Sequence, residues 1–140
     1  NLPKQALSHQ TNMPKTKVQL EYVLRSKSRS IIWNFIATPT GMSKWFADDV
    51  ERRDSTLIFK WGKEEQREAK IKHYYEGDSL KMRWKDETDT GCYVEIRLDQ
   101  NELTLDYVLT IIDFAEENEV NETKDLWDSQ IDTLLRISGI

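Results

Sequence analysis

From Lys17 onward the chain switches between two hydrophobic rhythms, and each switch marks an element. Val18, Leu20, Tyr22 and Leu24 recur at every second position and predict a half-buried strand over Lys17–Leu24. The spacing then becomes helical. Ser28 or Ser30 can cap a helix carrying Ile31, Ile32, Phe35 and Ile36 on one side, with Trp33 on its flank. Thr38 stands before Pro39, which ends that helix and opens a second, shorter one through Met42, Trp45 and Phe46.

After Asp48 and Asp49 the two-residue rhythm returns. Leu57, Phe59 and Trp61 alternate with Ile58 and Lys60 up to a reversal at Gly62-Lys63, and Ala69, Ile71, His73 and Tyr75 oppose Glu68, Lys70, Lys72 and Tyr74. Beyond the turn Glu76-Gly77-Asp78, Leu80, Met82 and Trp84 oppose Lys81, Arg83 and Lys85, and a polar loop runs from Asp86 to Gly91. Cys92, Val94, Ile96 and Leu98 form the next inward set, and Asp99 to Asn101 turns the chain into Leu103, Leu105, Tyr107, Leu109 and Ile111. Such short connections require neighbouring antiparallel strands, a meander with one apolar and one wet face.

The last stretch, Asn121 to Ile140, is helical again. Trp127, Ile131, Leu134 and Leu135 form an apolar stripe, while Lys124, Asp125, Asp128, Asp132 and Arg136 lie opposite. A stripe of that width needs a partner, and the meander is the only surface large enough, so the helix is read as a lid packed across the sheet. The fold class is α+β: an antiparallel curved sheet, two short helices after the first strand and a long C-terminal helix.

At 140 residues one domain is expected. Residues 1–16 show no apolar period and read as a tail, an upstream extension or an expression remnant before Met13, with the domain spanning 17–140. The formal net charge is -5 and the basic residues are interleaved with acidic ones from Lys60 to Arg97, which points away from nucleic acid. No apolar run is long enough to span a bilayer, so no membrane insertion is expected. The single cysteine, Cys92, rules out an internal disulfide and fits a reducing, cytoplasmic setting, where it serves as an inert small hydrophobe. With one Cys and two His, a zinc site would need mostly carboxylate ligands, so neither metal nor cofactor is expected.

The order of elements is that of the helix-grip fold, and the residues resemble the START-like superfamily, in particular its branch related to the activator of Hsp90 ATPase. Ile32-Trp33, the segment Thr38-Pro39-Thr40-Gly41-Met42-Ser43-Lys44-Trp45-Phe46-Ala47-Asp48, and the lid around Trp127, Ile131 and Leu135 carry the likeness. Arg52-Arg53-Asp54-Ser55 stands where many relatives have a glycine pair, and an acidic run from Asp113 to Glu122 precedes the lid. The resemblance implies a pocket between sheet and lid for a small apolar molecule. Its candidate walls are Phe59, Trp61, Ile71, His73, Met82, Trp84, Val94, Tyr107, Leu109, Trp127, Ile131 and Leu134. Each is plain core just as readily, His73 a satisfied polar residue and Tyr107 a hydroxyl aimed at a buried carbonyl. A dry apolar void of ~300 Å³ would cost on the order of 7 kcal/mol, comparable with a whole domain's stability, so Trp61, Trp84 and Trp127 predict a small or partly filled pocket.

Catalysis needs an acid and a base converging on one pocket. The inward face offers His73, Tyr107 and Arg67, and no nucleophile triad, phosphate loop or inward carboxylate pair stands out, so a binder is expected rather than a cyclase- or dehydratase-like enzyme. The alternative is a protein-interaction module, in which Asp113, Glu116, Glu117, Glu119 and Glu122 meet a basic partner; a solvated acidic stretch is the plain reading of the same run.

Overall fold

The structure, a computed structural model, describes residues 14–140. Most of the expected tail, residues 1–13, therefore lies outside the described residues, and the first strand begins two residues earlier than the alternation suggested, β1 (Lys15–Val23). Ser28 caps α1 (Arg29–Ile36), its hydroxyl accepting the Ile31 N–H, and Thr38 caps α2 (Pro39–Met42) through the Gly41 N–H. Gly41 is obligatory for a steric reason: a Cβ there would lie 2.0 Å from the Asn34 carbonyl oxygen, so the two helices touch backbone to backbone.

Six further strands complete the sheet: β2 (Asp49–Arg53), β3 (Thr56–Trp61), β4 (Glu65–Tyr75), β5 (Ser79–Trp84), β6 (Val94–Gln100) and β7 (Tyr107–Glu116). All neighbours are antiparallel in the order β1-β7-β6-β5-β4-β3-β2. A short 3-10 turn, Glu117–Glu119, leads into the lid helix α3 (Val120–Ser138). Gly139, at φ 72°, closes α3, and the Ile140 carbonyl accepts the N–H groups of Arg25 and Ser26. Thr123, Trp127, Gln130, Ile131 and Leu134 form its buried stripe. This is the seven-stranded antiparallel curved sheet with short helices after the first strand and a long C-terminal helix: a helix-grip α+β fold.

The structure adds one strand to those read from the alternation and corrects two expectations. The added element, β2, is a strand although its sequence, Asp-Val-Glu-Arg-Arg, offers one apolar side chain; it pairs with β3 through a hairpin whose turn residue Asp54 takes a left-handed φ of 55°. Of the corrections, the first is that β7 starts at Tyr107, and Leu103 and Leu105 stand in the preceding loop, 95% and 59% exposed. The second is that β4 carries a bulge between Ile71, which faces Met82, and His73, which faces Lys81. The extra residue reverses the alternation. His73 consequently leaves the inner face, where it was expected, and Tyr74 enters, opposite Leu80, to accept a hydrogen bond of 2.9 Å from the Trp33 indole.

Candidate functional site

Phe46, at the end of the segment joining α2 to β2, is the hub beneath the lid. Its ring centre lies 4.8 Å from that of Phe59, 5.7 Å from Trp127, 6.3 Å from Trp84 and 6.5 Å from Trp61. Of the twelve candidate wall residues, Phe59, Met82, Val94, Leu109, Trp127, Ile131 and Leu134 keep no more than 1% of their surface. Trp61, Trp84 and Tyr107 belong to the same cluster, and Ile71 packs against it half-buried. Eleven of the twelve are thus brought together on one side of the sheet. His73 is not among them: its imidazole lies 3.9 Å from Glu95 and stacks with Tyr75 on the outer side.

Where the interior of a pocket was expected, the aromatic side chains pack against one another, and among the described residues clefts open at the surface, one against the middle of the lid and one at its C-terminal end. One cleft, of ≈ 330 Å³, lies between the α2–β2 segment and α3, floored by Trp45, Phe46 and Trp61 and rimmed by Ser43, Lys44, Asp48, Ser129, Gln130 and Thr133. Its geometry is pinned by hydrogen bonds from below. The Trp61 indole (3.2 Å) and the Gln130 amide (3.4 Å) both donate to the Phe46 carbonyl, and the Trp45 indole donates to the Phe35 carbonyl at 2.9 Å. Asp48 accepts the Gly62 N–H. Another cleft, of ≈ 370 Å³, lies at the far end of the lid among Val23, Arg25, Leu135, Arg136 and Ile140.

The acidic run was read as a solvated stretch or a partner surface, and its first two members contradict that. Asp113 and Glu116 belong to β7; Glu116 is 7% exposed, and one of its carboxyl oxygens lacks a hydrogen-bond partner among the described residues. Asp113, opposite Val18, keeps part of its surface, yet its carboxyl group lies deep under the lid. One oxygen accepts the Trp127 indole N–H at 2.9 Å and the other the Phe114 N–H at 2.7 Å. Burial pushes its pKa from 3.8 up to about 6, and these two hydrogen bonds and the positive charges of Arg67 and Lys15 oppose the rise without cancelling it.

Arg67, buried on the inner face of β4 opposite Phe59, forms a forked ion pair with Asp86 at 2.8–3.1 Å, and its guanidinium sits 4.0 Å over the Trp84 ring. Lys15 pairs with Glu87 nearby. Cys92 is buried before β6, and burial first, then the charges of Glu87 and Asp89, pushes its thiol up to about 12, so it stays protonated. Tyr22 donates to Asp128 at 2.7 Å, tying β1 to the lid; burial and that carboxylate hold its hydroxyl above its ordinary pKa. A carboxyl titrating near neutrality suits proton transfer. Here, however, both Asp113 oxygens already serve packing contacts, so the cluster orients the lid. Among the described residues, no three His, Cys, Asp or Glu side chains gather to hold a metal ion, and no helix is long and apolar enough to cross a membrane.

The family profile of the START-like superfamily domain matches residues 12–140. The chain belongs to the START-like superfamily. Among solved structures, it is similar to the Bacteroides fragilis protein BfR322, with 46% identity, coverage of 89% of this chain and 92% of that one, and a TM-score of 0.63. At 19% identity it shares the fold of DynU16, a protein of the dynemicin biosynthetic locus, covering 86% of this chain but only 46% of DynU16, with a TM-score of 0.70. The Aha1 dimer from Colwellia psychrerythraea likewise shares the fold, at 12% identity, 88% and 93% coverage and a TM-score of 0.65. Among curated proteins no sequence matches this chain.

The candidate walls do not include Trp45 and Phe46, although the START-like segment Thr38–Asp48 carries both. The sequence predicts them on the second helix, but α2 ends at Met42 and they stand in the connection to β2.

Proposed function

We propose that this START-like domain is a binder of a small apolar or aromatic molecule, held in the cleft between the α2–β2 segment and the lid rather than deep within the sheet. The observation that carries the reading is the cleft itself: ≈ 330 Å³ with an aromatic floor and a polar rim. Its volume lies at the low end of the roughly 300–1,000 Å³ of ligand sites, and its exposed lining is mostly polar, with the edges of the three aromatic rings beneath. A flat molecule would lie on Trp45 and Trp61, and Gln130, Ser129 and Asp48 would orient its polar end. The fold supports this, since relatives of the superfamily commonly hold hydrophobic ligands.

Binding without chemistry is the reading because the inward ionisable groups are engaged in packing: Asp113 by Trp127 and Phe114, Arg67 by Asp86 and Trp84. A protein-interaction role is the second reading. It rests on the exposed carboxylates of Glu117, Glu122, Asp125 and Asp132 along the lid, which offer a basic partner an acidic ridge.

The test is titration of tryptophan fluorescence with an anilinonaphthalene sulfonate probe, in wild type and in Ser129→Phe. Ser129 is exposed on the cleft's rim, so added bulk there fills the cleft without entering the core. Saturable quenching in wild type, lost in Ser129→Phe at unchanged melting temperature, supports the reading. Quenching that the substitution leaves intact rules this cleft out.

A further inference from the structure

β1 forms one edge of the sheet, with β7 on one side and, among the described residues, no strand on the other. Natural edges are usually shortened, bulged, interrupted by proline or heavily charged, because an open row of backbone groups invites another strand. The opposite edge fits that description: β2 has five residues, four of them charged, Asp49, Glu51, Arg52 and Arg53. β1 is less guarded, with Lys15, Lys17 and Glu21 charged among its nine residues. It runs for nine residues in unbroken register with β7 and contains no proline.

The ladder shows which groups are open. Just beyond the strand, the Leu24 N–H donates to the Tyr107 carbonyl. In an antiparallel pair such bonded positions alternate, so Val18, Leu20 and Tyr22 point their backbone groups at β7. Lys17, Gln19, Glu21 and Val23 therefore point theirs outward, and all four are exposed, Val23 by 67%. Their charges are symmetric about the middle residue, Lys17 and Glu21 each standing two positions from Gln19.

We propose that two copies of this chain associate by antiparallel pairing of their β1 edges about a two-fold axis through Gln19. In that register Gln19 meets Gln19 of the second copy at a hydrogen-bonded position. Lys17 meets Glu21 twice by symmetry, and Val18 meets Leu20, so inner side chains stay on the inner face. Shifting the axis by one residue either way sets Lys17 against Gln19 or Val23 and loses both Lys17–Glu21 pairs. Two sheets become one continuous sheet through a small interface, which makes the dimer weak and concentration-dependent. The pairing leaves the cleft beneath the lid free, so it stands apart from the ligand-binding reading.

Sedimentation equilibrium of the full chain over a concentration series tests it. The expected weight-average mass rises from that of one 16.6 kDa chain towards twice that value. Lys17→Glu sets like charges opposite each other twice and raises the dissociation constant by at least about tenfold, and the swap Lys17→Glu with Glu21→Lys restores it. Gln19→Pro deletes an N–H that points away from β7, so the monomer should keep its circular dichroism melt while self-association disappears. A single-chain mass at every concentration overturns the proposal, as does self-association that Lys17→Glu and Gln19→Pro both leave unchanged. If Gln19→Pro does not fold, the charge reversal and its swap decide alone.

Discussion

Replacing Asp113 with Asn removes a carboxyl that burial displaces strongly and keeps an oxygen that can accept the Trp127 indole hydrogen bond. In the folded chain Asp113 titrates at about 6 instead of 3.8. Its folded pKa is thus above its unfolded one, so as pH rises the unfolded chain sheds this proton first. The contribution to stability is complete below the unfolded pKa and is lost as pH climbs through the folded value. Two units correspond to about 3 kcal/mol in total, of which about 2 kcal/mol falls between pH 4.5 and 7. Arg67 and Lys15, the cations near the carboxyl, are present in both proteins, so the comparison isolates Asp113. Urea melts at pH 4.5, 5.5 and 7 should therefore show the variant gaining about 2 kcal/mol on wild type from the lowest pH to the highest. A constant offset between variant and wild type is also expected, since an amide offers one acceptor where the carboxylate offers two. A difference that stays level within about 0.5 kcal/mol would refute the claim that burial dominates this group.

Trp127→Ala should destabilise the fold by about 3–5 kcal/mol in urea melts, because it empties the contact between the lid and Phe46; a loss below about 1 kcal/mol would mean that the lid does not pack there. Gly41→Ala should cost about 3 kcal/mol or more in thermal melts, since its Cβ would strike the Asn34 carbonyl at 2.0 Å, and a neutral result would mean that the two helices lie farther apart. Cys92 should resist iodoacetamide in the folded chain at pH 8 and react readily in urea; rapid native labelling would contradict its burial and its pKa of about 12.

The rhythm of the chain carried the architecture because most elements bury one face only. Strands with one wet side alternate visibly, and a lid with one buried stripe repeats at three and four. Where that condition fails, the sequence is mute. β2 holds its place by backbone pairing to β3 and shows a single apolar residue, Val50, so nothing in its side chains announces a strand. The bulge in β4 is a backbone event: Ile71, Lys72, His73 and Tyr74 read equally well in either phase, and only packing of Tyr74 against Trp33 decides that His73 goes outside. Asp113 was hidden in another manner. The residues beside it, Ile112, Phe114 and Ala115, are apolar, the carboxylates grouped with it begin only at Glu116, and the partner that makes it structural, Trp127, lies fourteen residues further on. The same limit applies to the cleft. Trp45 and Phe46 were recognisable as a motif, but what they enclose depends on how the segment after α2 lies against the middle of the lid.

The claim that matters most is that a small apolar molecule binds on Trp45 and Trp61 and not within the aromatic core. Indole N–H signals in a nitrogen–proton correlation spectrum report on it directly, because each sits in a distinct place: Trp61 on the Phe46 carbonyl, Trp45 on Phe35, Trp127 on Asp113, Trp33 on Tyr74. On titration with the anilinonaphthalene sulfonate probe, the signals of Trp45 and Trp61 should move saturably while that of Trp33 stays fixed. Stationary Trp45 and Trp61 signals, or movement confined to Trp127 and Trp33, would contradict the account.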